Sequence, residues 1–523
     1  MGNEGNESLK DIGANANKQS PTSFINSSVI NLTNSTIIGE NTTDPENDYK
    51  KLHQLGQGTY GSVFEIQNRT TDIIRAMKVV KKNTKRSAEE EKEILHEENI
   101  LRTMDHPNIV KIFEFYSNDE NYSIITENCK GGSLFKEIEK NGPFNENYTA
   151  YVMYQLFSAI HYYNGLNIIH RDLRPENILI ANKNKSNNFP NIKICDFGMS
   201  KIVDNTITTE NKIVGSLYYL APEVLDKNYN EKCDLWSCGV IMYYLLTKKF
   251  PFSGVFKNEI TEKIKKGEFD IESPPFDKIS PKAKDLLQKL LTVDVNKRIN
   301  IKDALNHPWL EERNSKELYN QILDKKIVEK LLNNLKKYKK HSIIQETALA
   351  FLVHNFPQMK DVVNACKLFN QIDLNGDGKI TGEELYLGLK KRLNSDTLIE
   401  DVKNIFSNLD MNNDGYIEYE EFVRASVSKE KFMGENVLKF AFRYFDKDDS
   451  GKITFKEIET VFKNSVTDKE HMEEALNKII FEVDINRDGK ISFEEFSKVR
   501  KKCWIDFKLK KVWIKLLFIF ILS

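Results

Sequence analysis

Four acidic loops recur near the C-terminal end of this 523-residue chain, beginning at Asp373, Asp410, Asp446 and Asp484. Each reads D-x-[DN]-x-[DS]-G-x5-E, at intervals of 37, 36 and 38 residues, which marks a repeat. Oxygen donors at alternate positions, a glycine at the sharp turn and a closing glutamate suit Ca²⁺, which takes about six to eight oxygens in flexible geometry. The first loop offers Asp373, Asn375, Asp377, the Lys379 carbonyl and Glu384 around Gly378. The second offers Asp410, Asn412, Asp414, the Tyr416 carbonyl and Glu421 around Gly415. The third offers Asp446, Asp448, Ser450, the Lys452 carbonyl and Glu457 around Gly451. The fourth offers Asp484, Asn486, Asp488, the Lys490 carbonyl and Glu495 around Gly489. Ser450 brings a neutral oxygen, so the third site is expected to be the weaker one. Ile380, Ile417, Ile453 and Ile491 follow the carbonyl positions and can join two loops through a short strand.

A second constellation lies upstream and fits phosphoryl transfer. Leu55-Gly56-Gln57-Gly58-Thr59-Tyr60-Gly61-Ser62-Val63 is a glycine-rich loop whose backbone N–H groups can approach phosphates. By itself that pattern also fits a dinucleotide turn or a tight hairpin. A dinucleotide turn should open a helix, whereas strand-like Ser62-Val63-Phe64-Glu65-Ile66 follows here. Lys78 stands in an apolar strand-like run, a costly place for an ammonium group unless it is paired. Glu97 and Glu98 are candidate partners, and they lie about 100° apart round a helix, so only one can face it. His170-Arg171-Asp172-Leu173-Arg174-Pro175-Glu176-Asn177 and Asp196-Phe197-Gly198 complete the set. Phosphoryl transfer asks for positioning and charge neutralisation, which Lys, Asp, Asn and glycine backbone provide.

The elements that must hold these groups follow from the pattern. Residues 1–48 are rich in Asn, Ser, Thr and Gly with only isolated apolar residues, so disorder is expected. Strand-like alternation begins near Tyr49 and gives way to helical stretches such as Tyr148–Tyr163. Residues 311–360 are basic and helical in pattern. Within them Ile327, Leu331, Leu335 and Tyr338 fall on one face of a lysine-rich helix. Such a helix is either a solvated connector or a calmodulin-target-like switch element.

Residues Tyr49 to about Leu310 resemble the protein kinases. The resemblance implies that Asp172 accepts or orients the substrate hydroxyl proton. It implies that Lys78 meets the ATP phosphates, and that Asn177 and Asp196 hold Mg²⁺. It favours Glu97 as the partner of Lys78, through its offset to Pro107. Glu127, Asn128 and Cys129 would form the adenine hinge behind Thr126. Arg298 would pair with Glu223, and Asp234 would brace the catalytic loop. Pro175-Glu176-Asn177 and Gly215-Ser216-Leu217-Tyr218-Tyr219 look like the serine/threonine branch. Arg174 stands where that branch usually has Lys, keeping a positive charge near the γ-phosphate on a planar fork. Ser133 stands where many basophilic relatives have Glu, which removes one contact for a basic peptide.

Kinase, basic junction and four EF-hands in this order resemble the calcium-dependent protein kinases of plants and protists. The expected fold class is an α+β bilobal protein kinase domain followed by an all-α EF-hand domain with two EF-hand pairs. The expected division is a disordered extension over 1–48, the kinase over 49–310, the junction over 311–360, the calmodulin-like domain over 361–500, and a tail over 501–523. The implied function is a Ca²⁺-activated serine/threonine kinase that uses ATP and Mg²⁺ on protein substrates, with Ca²⁺ relieving inhibition by the junction. The competing readings are a Ca²⁺-gated scaffold with weak catalysis, and a kinase beside a Ca²⁺ buffer.

Hydrophobic content of 40% and charged content of 29% fit a soluble globular chain, and the formal net charge is −1. No nucleic-acid partner is expected. Six scattered cysteines suggest neither zinc nor a disulfide framework, and point to a reducing, intracellular setting. A cytoplasmic monomer is expected. Met1-Gly2 could be acylated, although Asn6 stands where the acylation motif wants Ser or Thr. The tail Val512–Leu522 is too short to span a bilayer. It could lie on an anionic membrane, dock near the fourth EF-hand, or be a non-native extension.

Overall fold

A computed structural model of the chain describes residues 39–57, 61–69, 71–82, 97–182, 189–202, 208–209, 216–311, 323–338, 350–357, 359–393, 398–410, 414–427, 435–446, 448, 450–462, 480 and 484–496. The tip of the glycine loop (Gly58, Thr59, Tyr60), Asn412, most of the extension over 1–48, and the tail over 501–523 lie outside the described residues.

The first lobe is a six-stranded sheet in the order β1-β5-β6-β4-β3-β2. The strands are β1 (Gly39–Asn41), β2 (Tyr49–Gln57), β3 (Ser62–Asn68), β4 (Ile74–Lys81), β5 (Ile112–Ser117) and β6 (Asn121–Glu127). Alternating apolar residues close one face around Tyr49, Ile66, Met77, Tyr116 and Ile125. The expected start of order at Tyr49 is corrected here. Strand β1 pairs in parallel with β5, with Gly39 opposite Glu114 and Asn41 opposite Tyr116. Asp44 then caps a short turn over Pro45–Asn47. These residues are polar and show no apolar alternation, because an edge strand of this kind is held by backbone pairing.

Helix α1 (97–103) lies before β5. The second lobe carries α2 (Leu134–Asn141), α3 (Glu146–Gly165) and α4 (Lys232–Thr247). Ser133 accepts a hydrogen bond from the Lys136 N–H at 3.3 Å and so caps α2. Thirteen residues of α3 are buried, and α4 is buried from Cys233 to Thr247. A helix buried all round belongs inside a large core.

The junction forms α5 (Lys325–Lys337), started by the Asp324 side chain on the Lys326 N–H. Its buried stripe is Val328, Leu331, Leu332 and Leu335, wider than the expected face, with Ile327 only half-buried at its border. Spacings of three and four residues make that stripe continuous. The loops then sit between helices α6 (Lys360–Ile372) and α7 (Gly382–Leu393), and between α8 (Leu398–Leu409) and α9 (Tyr419–Ser426). In the second pair, α10 (Glu435–Phe445) and α11 (Phe455–Phe462) flank the third loop. The isoleucines join the loops as expected, Ile380 opposite Ile417 and Ile453 opposite Ile491. Among the described residues, no helix is long and apolar enough to cross a membrane.

Candidate active site and calcium loops

Lys78 comes from the middle of β4, between β3 and β6. Its ammonium donates to Glu97 at 2.7 Å and to Asp196 at 2.8 Å. Glu98 turns away and pairs with Arg102 one helical turn on. Burial alone would lower the Lys78 pKa, but the Glu97 and Asp196 carboxylates outweigh it and hold the group above its ordinary value. Burial pushes Glu97 up against the pull of Lys78, while Asp196, also buried, ends below its ordinary value because of Lys78. The lysine is therefore a fixed cation.

Asp172 accepts from the Asn177 side chain at 3.0 Å and from the Ser216 backbone N–H at 3.2 Å. Burial raises its pKa, opposed by His170 and Arg174. The loop that carries it is tied to α4. Asp234 accepts from the N–H groups of His170 and Arg171 at 2.9 and 3.0 Å and from the Tyr163 hydroxyl at 2.8 Å. Arg171 and Asp196 have φ of 68° and 64°, a left-handed backbone that costs non-glycine residues energy and clusters at functional sites. Arg298 grips Glu223 with both guanidinium nitrogens at 2.5 and 2.9 Å. Arg174 turns its guanidinium onto Glu176 at 3.0 Å, while its charge still bears on Asp172 and Asp196.

The described ends of the glycine loop are carried by β2 and β3, with Gly56 opposite Val63 and Gln57 opposite Ser62. A Cβ on Gly61 would lie 2.0 Å from the Val79 carbonyl, so only glycine lets the loop lie this close to β4. Leu55 is exposed at the end of β2. Thr126 stands in register with Ala76 of β4. At the hinge, the Glu127 carboxylate pairs with Lys193 at 2.8 Å and accepts from the Lys111 N–H at 2.9 Å. The Cys129 carbonyl accepts from the Gly132 N–H at 3.1 Å, and burial raises its thiol pKa.

The loops share one construction. In each, the first aspartate accepts from the N–H of the turn glycine: Asp373 from Gly378 and Asp410 from Gly415 at 3.1 Å, Asp446 from Gly451 at 2.8 Å, Asp484 from Gly489 at 2.6 Å. Those glycines have φ of 78–87°. The closing glutamate accepts a backbone N–H three residues before it, from Thr381 to Glu384, Glu418 to Glu421, Thr454 to Glu457 and Ser492 to Glu495. Asn375 donates to Asp377 at 3.0 Å and Asn486 to Asp488 at 3.4 Å. Across the pairs, Lys379 reaches Asp414 at 3.8 Å and Lys452 reaches Asp488 at 2.6 Å. Tyr416 and Lys490 sit at the carbonyl positions and stay exposed. Asp446, Asp448 and Glu457 each bring a carboxylate oxygen within 4.8 Å of the others, so the third loop gathers its charge despite Ser450.

Contacts of the kinase with the end of the junction and with the calcium-loop module escaped the sequence. Arg75, three residues before Lys78, is fully buried, stacks 3.4 Å over the Phe113 ring and donates to the Asn355 carbonyl. His354 meets the Ile112 carbonyl at 3.0 Å, and Asn370 donates to Asn108 at 3.3 Å. An arginine inside an apolar strand is the only sequence signal for this contact.

Comparison with known proteins agrees with this geometry. The protein kinase domain family matches residues 49–310. The EF-hand domain pair family matches residues 363–426 and 435–499. The chain is thus a protein kinase with a fused EF-hand module. It is 36% identical over 459 residues to calcium-dependent protein kinase 4 of Plasmodium falciparum, covering 86% of this chain and 85% of that protein. It is 34% identical to the Plasmodium berghei protein of the same name, over 95% of this chain and 94% of that one. Identity to calcium-dependent protein kinase 19 of Arabidopsis thaliana is 32%, over 89% and 82%. The chain belongs to the calcium-dependent protein kinase family. It is a Ca²⁺-activated serine/threonine kinase that uses ATP and Mg²⁺.

Proposed function

We propose that Ca²⁺ switches the kinase through the junction helix α5. The observation that carries this reading is where α5 sits. Its apolar stripe is buried among Val402, Phe406 and Phe422 of the first loop pair. Its basic face meets acidic residues there, Lys330 with Asp361 at 3.3 Å and Lys336 with Asp401 at 2.6 Å. A helix held on the module is kept off the substrate cleft. Removing Ca²⁺ closes EF-hand pairs and withdraws their apolar grooves. The same basic face is then released to block or clamp the kinase.

Within the cleft, Asp172 takes or orients the proton of the substrate hydroxyl, held in place by Asn177 and Ser216. Lys78, kept charged by Glu97 and Asp196, meets the ATP phosphates under the glycine loop. Arg174 adds positive charge beside Asp172. Asn177 and Asp196 are the residues that would hold Mg²⁺, which when bound neutralises charge on the transferred phosphoryl group. Each calcium loop would hold one Ca²⁺ through its carboxylates and one backbone carbonyl.

Phosphorylation of a serine/threonine peptide library against free Ca²⁺ tests the switch. A rise through the micromolar range is expected, lost in Leu331→Glu. A wild-type response that is flat from below micromolar to millimolar Ca²⁺ would refute it. We also infer a cytoplasmic monomer whose Gly2 end or basic, apolar tail touches anionic membranes. The residues at those ends support this, and flotation with phosphatidylserine vesicles checks it.

A further inference from the structure

The turn glycine of the first calcium loop differs from the other three in what surrounds it. A Cβ built on Gly415, Gly451 or Gly489 would meet nothing within 4 Å. On Gly378 it would lie 2.8 Å from the Tyr162 ring and 3.1 Å from the His106 ring. On Gly376 it would lie 3.0 Å from Leu305 and 3.4 Å from Ser158. All four of these neighbours belong to the kinase domain. The first loop is therefore laid against helix α3, and its turn glycines are also contact residues.

The contact reaches the ligand positions. The Tyr154 hydroxyl donates to the main-chain carbonyl of Asp373 at 2.5 Å, and both residues are 2% exposed. His161 faces the loop backbone at Asn375 and Gly376. Tyr154, Ser158, His161 and Tyr162 recur at spacings of four, three and one, which places them on one stripe of α3. That stripe lies beneath the first half of the loop.

We propose that the first calcium site is a composite site, its ligands on the EF-hand module and its floor on kinase helix α3, with Tyr154 and His161 as positioning residues. Ca²⁺ binding at Asp373–Glu384 and docking of the module on the kinase are then one linked equilibrium. By reciprocity, whatever the docked kinase adds to Ca²⁺ affinity, Ca²⁺ returns as docking strength. The second loop also touches the kinase, with the Lys111 ammonium 5.8 Å from the Tyr419 ring, but its turn glycine Gly415 has open space around it. The inference rests on reading the four loops as calcium sites.

The test is a Ca²⁺ titration of the full-length chain against a chromophoric chelator, for wild type, Tyr154→Phe and His161→Ala. Losing one hydrogen bond to a buried carbonyl should weaken one binding constant about fivefold and leave the others in place. In an Asp373→Ala background, which removes the first site, neither substitution should change the remaining constants. Superimposable titrations of folded wild type and both variants would overturn the proposal. So would an equal shift in the Asp373→Ala background, which would make the effect general. If Tyr154→Phe fails to fold, the half-exposed His161→Ala decides alone. The readout is binding, so a weakened first site together with Ca²⁺-independent phosphorylation would uphold this proposal while refuting the switch.

Discussion

The guanidinium of Arg75 donates to the backbone carbonyl of Asn355, joining the strand of the catalytic lysine to the segment that leads into the first calcium loop. Arg75 is buried, and burial lowers its pKa to about 10, against the opposing effects of Tyr49 and Glu114. Arg75→Met keeps much of the volume and removes the donor. It should weaken docking by about 1–3 kcal/mol, the usual range for a lost charged hydrogen bond in a buried place. A Ca²⁺ requirement for half-maximal activity raised about tenfold, with ATP KM unchanged, is the outcome to look for. An unchanged Ca²⁺ curve would show that the bond carries no coupling.

Asp172→Asn should keep the hydrogen bond from the Ser216 N–H and lose the charge. Proton acceptance by a positioned group is worth about 10²–10⁴ in rate. The expected result is a kcat lower by at least about 100-fold with ATP KM within a few-fold of wild type. Steady-state kinetics on one serine peptide would measure both.

Acid should loosen the docked arrangement. His106 accepts from the Asn108 N–H on Nδ1 at 3.1 Å, which requires a neutral ring. Burial, then Lys193 and His161, lower its pKa from the ordinary 6.5 to about 3. His354 is lowered as well, by burial and then Lys111. Between pH 6.5 and 3 the unfolded chain binds protons that the folded His106 refuses. Stability is therefore full above about 6.5 and declines as pH falls through that window. Thermal melts should show a drop in Tm from pH 7.5 to 5.5 that is smaller in His106→Gln.

The third calcium loop offers a direct gain-of-affinity test. The Ser450 hydroxyl donates to the Lys452 carbonyl at 3.0 Å and gives the loop a neutral oxygen where the others place Asp. Ser450→Asp adds a charged donor beside Asp446, Asp448 and Glu457. EF-hand affinity follows ligand charge. Calorimetric titration should find one site about tenfold tighter, and no change would mean that loop rigidity, not charge, limits it.

The motif residues and the order of parts could be read from the chain because short-range chemistry fixes them. A calcium loop needs its donors at set positions, and a phosphoryl-transfer cleft needs Lys78, Asp172, Asn177 and Asp196 whatever lies between them. The choice of Glu97 over Glu98 was legible for a similar reason: neighbouring helix residues point apart, and the layout selects one. Strand β1 was hidden, since polar residues on an edge are held by backbone pairing that leaves no apolar pattern. The bonds from Arg75 to Asn355 and from Tyr154 to Asp373 join positions 280 and 219 residues apart. No local pattern encodes such contacts, because they depend on how two separately folded surfaces meet. The sequence by itself determined the chemistry of each part. Only the tertiary structure decided that the first calcium loop rests on helix α3, since that requires the helix to present a stripe shaped to the loop's glycines.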